Sequence, residues 1–193
     1  KELSVLIRAE MIAATLIPLI LNIIWTPAIG LLTGNKYGSV NQHTFLILSF
    51  CIPFQYIINI IWSAHFAKDR LKTILRITAV TFCIVLAGDL LFIPLYGSTG
   101  AALVFLAAMI VEYFNYMRSS GLSKIKETWL SLLTCLLAAV ISGFTAIYFL
   151  EDTPGRLVLA ISLFFLLVLA TRQLQITDIQ FVHQLVRKKK SLA

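Results

Sequence analysis

Six stretches of this chain stay apolar for about the length of a bilayer crossing, and short polar segments separate them. A membrane-spanning helix needs about 20 predominantly apolar residues to cross roughly 30 Å of hydrocarbon. Residues 11–32, 45–66, 74–96, 100–117, 129–150 and 157–170 meet or approach that length. Pro18 and Pro27 fall inside the first and should bend it. The last is short, which predicts that Arg156 and Arg172 extend it by reaching for the headgroups. Only Gly97-Ser98-Thr99 lies between the third and fourth spans, so a tight hairpin is expected there. The pattern predicts an all-α polytopic membrane protein with six transmembrane helices. Four helices in 1–117 are followed by a polar linker (118–128), two further helices in 129–172 and a basic tail (173–193). In the tail, Ile179, Val182, Leu185 and Val186 recur at helical spacing, as in a helix lying in the membrane interface.

Charge orients these spans. Of the 16 Lys and Arg, only Lys36 and Arg156 fall on one side of the predicted membrane. Lys1, Arg8, Lys68, Arg70, Lys72, Arg76, Arg118, Lys124, Lys126, Arg172 and the run Arg187, Lys188, Lys189, Lys190 share the other. Lys and Arg are retained on the cytoplasmic face during insertion, so both ends of the chain are expected there. The net charge of +7 is therefore a topology signal rather than a nucleic-acid footprint, since no basic stripe is interleaved with aromatics. Charged residues make up 13% of the chain, about half of what a soluble domain carries, and 59% are hydrophobic. Cys51, Cys83 and Cys135 each sit inside a predicted span without Cys-x-x-Cys spacing and read as small buried hydrophobes. The chain opens on Lys1-Glu2 and runs straight into membrane-type sequence without a signal-peptide pattern, which reads as a piece of something longer.

Ionisable side chains inside hydrocarbon are costly and mark function by default. Asp89 lies seven residues before Tyr96, about 10 Å below the outer surface, and Glu112 twelve residues past Gly100, about 18 Å deep. Both are candidates to line a polar substrate cavity, against the simpler reading that a neighbouring helix satisfies each. Gln55, Asn59 and Ser63 recur at i, i+4 and i+8 on one helical face and extend the candidate cavity, with Asn22 a weaker member. Ordinary hydrogen bonding between helices would explain the same stripe. Arg76 is expected to snorkel, and His43 and His65, near opposite ends of the second span, to be interfacial. Gly97 and Gly100 are expected to form a structural turn with close helix packing, continued by Ala101, Ala102, Ala107 and Ala108. No ligand cluster with metal spacing, nucleophile elbow or phosphate-cradling loop is present, so no metal, cofactor or enzymatic reaction is indicated.

Ile93-Pro94-Leu95-Tyr96-Gly97-Ser98-Thr99-Gly100-Ala101-Ala102 resembles the Ile-Pro-x-x-Gly-x-x-Gly-Ala-Ala signature of polysaccharide-biosynthesis flippases, members of the multidrug/oligosaccharidyl-lipid/polysaccharide exporter superfamily. Ile52-Pro53-Phe54-Gln55 is similar to the segment two helices earlier, and Leu31-Leu32-Thr33-Gly34-Asn35-Lys36-Tyr37 to an outer turn. At the inner turn, Lys68-Asp69-Arg70-Leu71-Lys72 stands where the family often carries Gly-Lys-x-Lys, so Asp69 departs from the pattern. The resemblance covers residues 10–118, and the last two spans only by position. It implies the C-terminal part of a transporter of 12 to 14 helices in two lobes, with the N-terminal lobe absent. It further implies translocation of a polyprenyl-linked oligosaccharide across the bacterial cytoplasmic membrane, with membrane lipid as the surrounding partner and two lobes rocking in alternation. A cation-coupled drug exporter of the same superfamily is the first rival. A membrane polymerase or ligase of glycan assembly is the second, and the absence of a long outer loop opposes it.

Overall fold

The computed structural model describes residues 2–34, 36–120 and 125–173, with side chains described from residue 7 and, after the gap at 121–124, from residue 129. The predicted interfacial helix and the basic run of the tail lie outside the described residues. Among the described residues the regular elements are α1 (Glu2–Thr33), α2 (Gln42–Ala67), α3 (Leu71–Ser120), α4 (Ile125–Phe149) and α5 (Thr153–Ala170), all helical. Each of the five is long and apolar enough to cross a membrane.

Straight, the 50 residues of α3 would run about 75 Å, more than twice the hydrocarbon thickness. The helix instead breaks at Gly97, whose φ of 58° and ψ of −137° lie where side chains of L-residues rarely go. Its two arms, 71–96 and 98–120, then run antiparallel. Gly88 packs against Val104, Glu112 lies beside Thr81, and Arg70 Nη1 donates to the Ser119 carbonyl at 3.5 Å. Five helices thus make the six passes that the hydropathy pattern predicts. The reversal takes one non-helical residue rather than three.

Gly100 is buried one turn beyond, and a Cβ there would collide with the Phe92 carbonyl of the opposite arm. The packed stripe beyond it differs from the expected one. Gly100, Val104 and Ala108, at i, i+4 and i+8, are buried, whereas Ala107 is exposed and Ala101 half-buried. Position 107 sits on the flank of this face, about 60° round the helix from 104 and about 100° from 108, and stays exposed.

α1 is the central helix, packing against α2, α4 and α5, while α3 attaches through α2. One cluster joins Met11 and Leu19 of α1, Ile57 and Ile61 of α2, Tyr113 and Tyr116 of α3, Leu132 and Ala138 of α4 and Phe164 of α5. α1 remains helical through Pro18 and Pro27. At its far end Trp25 stacks on Phe45 with ring centroids 4.0 Å apart and donates from Nε1 to the Gly38 carbonyl at 3.1 Å, fixing the α1–α2 turn.

α2 ends in a left-handed residue, Asp69, with φ 53°. Arg70 N–H donates to the His65 carbonyl at 3.0 Å and Asp69 N–H to the Phe66 carbonyl at 3.0 Å, the paired bonds of a Schellman stop. Asp69 therefore holds the position where glycine is favoured, and its short polar side chain tolerates it. α5 begins four residues earlier than expected. Asp152 caps it, accepting from Gly155 N–H at 2.7 Å, with Pro154 in the first turn. At 18 residues α5 spans about 27 Å, so it needs no extension by long side chains. Arg156 does not reach outward; its Nε donates to the Leu150 carbonyl at 2.7 Å and closes the α4–α5 turn. Cys51 and Cys135 are buried as expected, but Cys83 is exposed on the outer side of the first α3 arm.

Candidate functional site

The polar residues singled out from the sequence occupy three places, and no hydrogen bond among the described residues joins one place to another. The first is the open face of α2. Gln55, Asn59 and Ser63 are all exposed, opposite the buried Phe54, Ile57, Ile58 and Ile61. Ser63 Oγ donates to the Asn59 carbonyl at 2.8 Å, and all three residues lie outside the buried cluster. The stripe covers about 12 Å of helix, from Gln55 at the midpoint of α2 to Ser63 about one turn from its end.

The second place is a cavity of about 390 Å³ among α1, α2 and α4. Leu19, Ile23, Leu46, Phe50, Leu136, Val140 and Phe144 make it predominantly apolar, and Gln42 and His43 stand at one end. Asn22 lines it, donating from Nδ2 to the Pro18 carbonyl at 2.8 Å and to Ser49 Oγ at 2.7 Å. Asn22 is thus engaged in the α1–α2 contact. Periodicity along one helix could not reveal this cavity, because α4 reaches it from more than eighty residues away.

The third place is the α3 hairpin. Asp89 is half-buried on the first arm, and its Oδ1 is buried without a hydrogen-bond partner. Glu112 is half-buried on the second arm beside the Thr81 side chain, whose hydroxyl also donates to the Ile77 carbonyl at 3.1 Å. One turn beyond Glu112, Tyr116 is fully buried with its hydroxyl beside the Thr78 side chain, and the Tyr113 hydroxyl is buried without a hydrogen-bond partner. Trp129 stacks on Tyr113 at 5.7 Å and ties α4 to this arm.

His65 stands in the last turn of α2 but is 4% exposed, covered by protein. Its Nδ1 lies 2.9 Å from the Ile61 carbonyl and its Nε2 3.0 Å from Ser119 Oγ, so it bridges α2 to the second arm of α3. The Tyr116 ring meets the imidazole edge to face at 5.8 Å. A histidine at the end of an apolar run is ambiguous by itself; only Ser119, 54 residues on, resolves it.

These features define an all-α, multi-pass membrane protein whose polar side chains lie within its crossings. No protein-family profile matches the chain, and neither does a curated protein sequence. Among solved structures its fold matches that of "Lipid II flippase MurJ, inward closed conformation", with a TM-score of 0.69 and 17% sequence identity over 86% of this chain. The match covers 38% of that structure's chain, so this chain spans well under half its length.

Proposed function

We propose that the chain is the C-terminal part of a flippase that carries a lipid-linked oligosaccharide precursor for surface polysaccharide across the bacterial cytoplasmic membrane. The observation that carries this reading is the fold likeness to a lipid II flippase over 86% of the chain. The flippase-like signature supports it, because its glycines fall on the reversal and close contact of the α3 hairpin. On this reading residues 1–117 belong to the second lobe, 118–128 form a cytoplasmic linker, 129–172 add two helices, and 173–193 form a cytoplasmic tail.

A sugar headgroup crossing hydrocarbon loses its water, at several kcal/mol for each polar group left unpaired. The protein must offer replacement partners at mid-depth. Gln55, Asn59 and Ser63 would be costly facing lipid, so their exposure favours a covering surface from the rest of the transporter, with a polar passage between. Glu112 and Asp89 are the acidic members of that proposed path. The apolar α1–α2–α4 cavity has a size and lining suited to hydrocarbon, while the headgroup takes the polar route. Rocking of one lobe against the other would expose the passage to each side in turn.

The test is export of the precursor-derived glycan by cells carrying Glu112→Gln and, separately, Gln55→Leu with Asn59→Leu. Both should cut export severalfold or more while membrane abundance stays near normal. Full export by Glu112→Leu and by the double variant would remove these residues from the path.

A further inference from the structure

The polar stripe of α2 shares its face with two aromatic rings. At about 100° per residue, Trp62 and Phe66 fall within about 20° of Gln55, and these three with Asn59 and Ser63 occupy a sector of about 100°. Both rings are exposed, Trp62 by 40% and Phe66 by 57%. Their planes lie 13° apart with centroids at 5.3 Å. Rings so nearly parallel at that separation are offset rather than eclipsed, which leaves part of each face uncovered. The pair makes one flat apolar surface near the Arg70 end of α2, longer than a single ring. Asn59 stands three residues from Trp62 towards the helix midpoint and Gln55 seven, both exposed.

Two ordinary explanations fit this face poorly. Aromatic rings near the end of a membrane helix commonly sit among lipid headgroups. A lipid-facing sector here would also carry the Gln55 and Asn59 amides into hydrocarbon, where each unpaired group costs several kcal/mol. A second helix packed directly on the face is the other explanation. Close helix contacts in membranes favour small residues, whereas this face offers two bulky rings beside two amides.

A sugar matches both halves of the face. One side of a pyranose ring presents C–H groups polarised by the neighbouring oxygens, and its rim carries hydroxyls that each donate and accept. The electron-rich face of an aromatic ring attracts such C–H groups and takes their apolar surface out of water. A primary amide offers both donors and an acceptor, the complement of a hydroxyl rim. We propose that Trp62 and Phe66 form a sugar-stacking platform, which receives a pyranose ring of the cargo at the Arg70 end and passes its hydroxyls to Asn59 and Gln55. From Phe66 to Gln55 this track is about 17 Å long. That the cargo bears sugar rests on the flippase reading; the platform adds where and by what contact the sugar is held.

The test has two arms, both on the whole transporter. Export of the precursor-derived glycan is compared in cells carrying Trp62→Leu, Phe66→Leu or Trp62→Phe. Both rings are exposed, so membrane abundance should hold in all three. Each leucine variant should slow export about fivefold, the order expected for one lost ring contact, and Trp62→Phe should keep most of the wild-type rate. In the second arm the purified protein is oxidised by hydroxyl radicals and modification of Trp62 is read by mass. Polyprenyl diphosphate bearing the oligosaccharide should protect Trp62 severalfold, and the same carrier without sugar should not. Wild-type export by both leucine variants, or equal protection by the bare carrier, would overturn the proposal. Export that is lost on depletion of the protein yet indifferent to both leucine variants fails the platform and leaves the flippase reading standing. Sugar-dependent protection in a protein whose depletion leaves export unchanged fails the flippase reading alone.

Discussion

The two ends of the bundle are built from different materials. At the end bearing Arg70 and Arg118, side chains join the helices: His65 to Ser119 at 3.0 Å, Arg70 to the Ser119 carbonyl at 3.5 Å, and Ser131 to Gln173 at 2.8 Å. At the opposite end, backbones approach directly. Gly100 lies against Phe92, and an added Cβ at Gly38 would stand 2.9 Å from the Thr26 carbonyl. The side-chain contacts from α2 to the α3 reversal there are long, with Thr44 Oγ1 3.3 Å from both Ser98 Oγ and Thr99 Oγ1. A backbone contact has one arrangement and admits no added atom. A side-chain hydrogen bond can exchange donor and acceptor, so the two ends should answer substitution differently: the glycine end by loss of the fold, the polar end by graded loss of stability.

The largest effect is expected at Gly100. Gly100→Leu forces a side chain into the Phe92 backbone, which gives no room by rotating a χ angle. Overpacking of this kind costs about 1–3 kcal/mol or more, and separation of the arms would forfeit the Gly88–Val104 contact as well. Membrane abundance should fall strongly; normal abundance would break the claim that this end is fixed by backbone approach. His65→Ala should rank next. It leaves Ser119 and the Ile61 carbonyl without their shared partner, at about 1–3 kcal/mol, read as a lower thermal unfolding midpoint in detergent. An unchanged midpoint would show that the polar end is held by apolar packing alone. Ser98→Ala should do least, within about 0.5 kcal/mol, since it removes an exposed hydroxyl contact of 3.3 Å. A large loss there would erase the contrast between the ends.

Much of this architecture is legible along the chain because hydrocarbon thickness is a strict ruler. The six apolar runs each correspond to a helix or an arm of one, and Gly97 marks the reversal. The start of α5 is a local ambiguity, whereas the errors at Ala107 and His65 share another cause: local pattern says nothing about the neighbour supplied by distant sequence. Asp152-Thr153-Pro154 reads equally as a turn or as a capped helix start, and the bond from Gly155 N–H decides for the helix. Ala107 looks like part of a small-residue surface until the fold buries Val104 and Ala108 and leaves it exposed. His65 looks interfacial until Ser119 covers it. For the candidate path, the α2 stripe follows from period alone, and the structure leaves it open. Neither the α1–α2–α4 cavity nor the His65–Ser119 contact could be read from one segment, since each needs residues that are remote in sequence.

The central claim, transfer of a lipid-linked precursor between leaflets, is tested most directly by locating that precursor. In cells depleted of the protein, leaflet-selective modification of the lipid-linked sugar should find it accumulated on the side facing the Arg70 end, and restoring the protein should return it to the opposite leaflet. An unchanged distribution between leaflets after depletion, with no other transporter induced, would contradict the account.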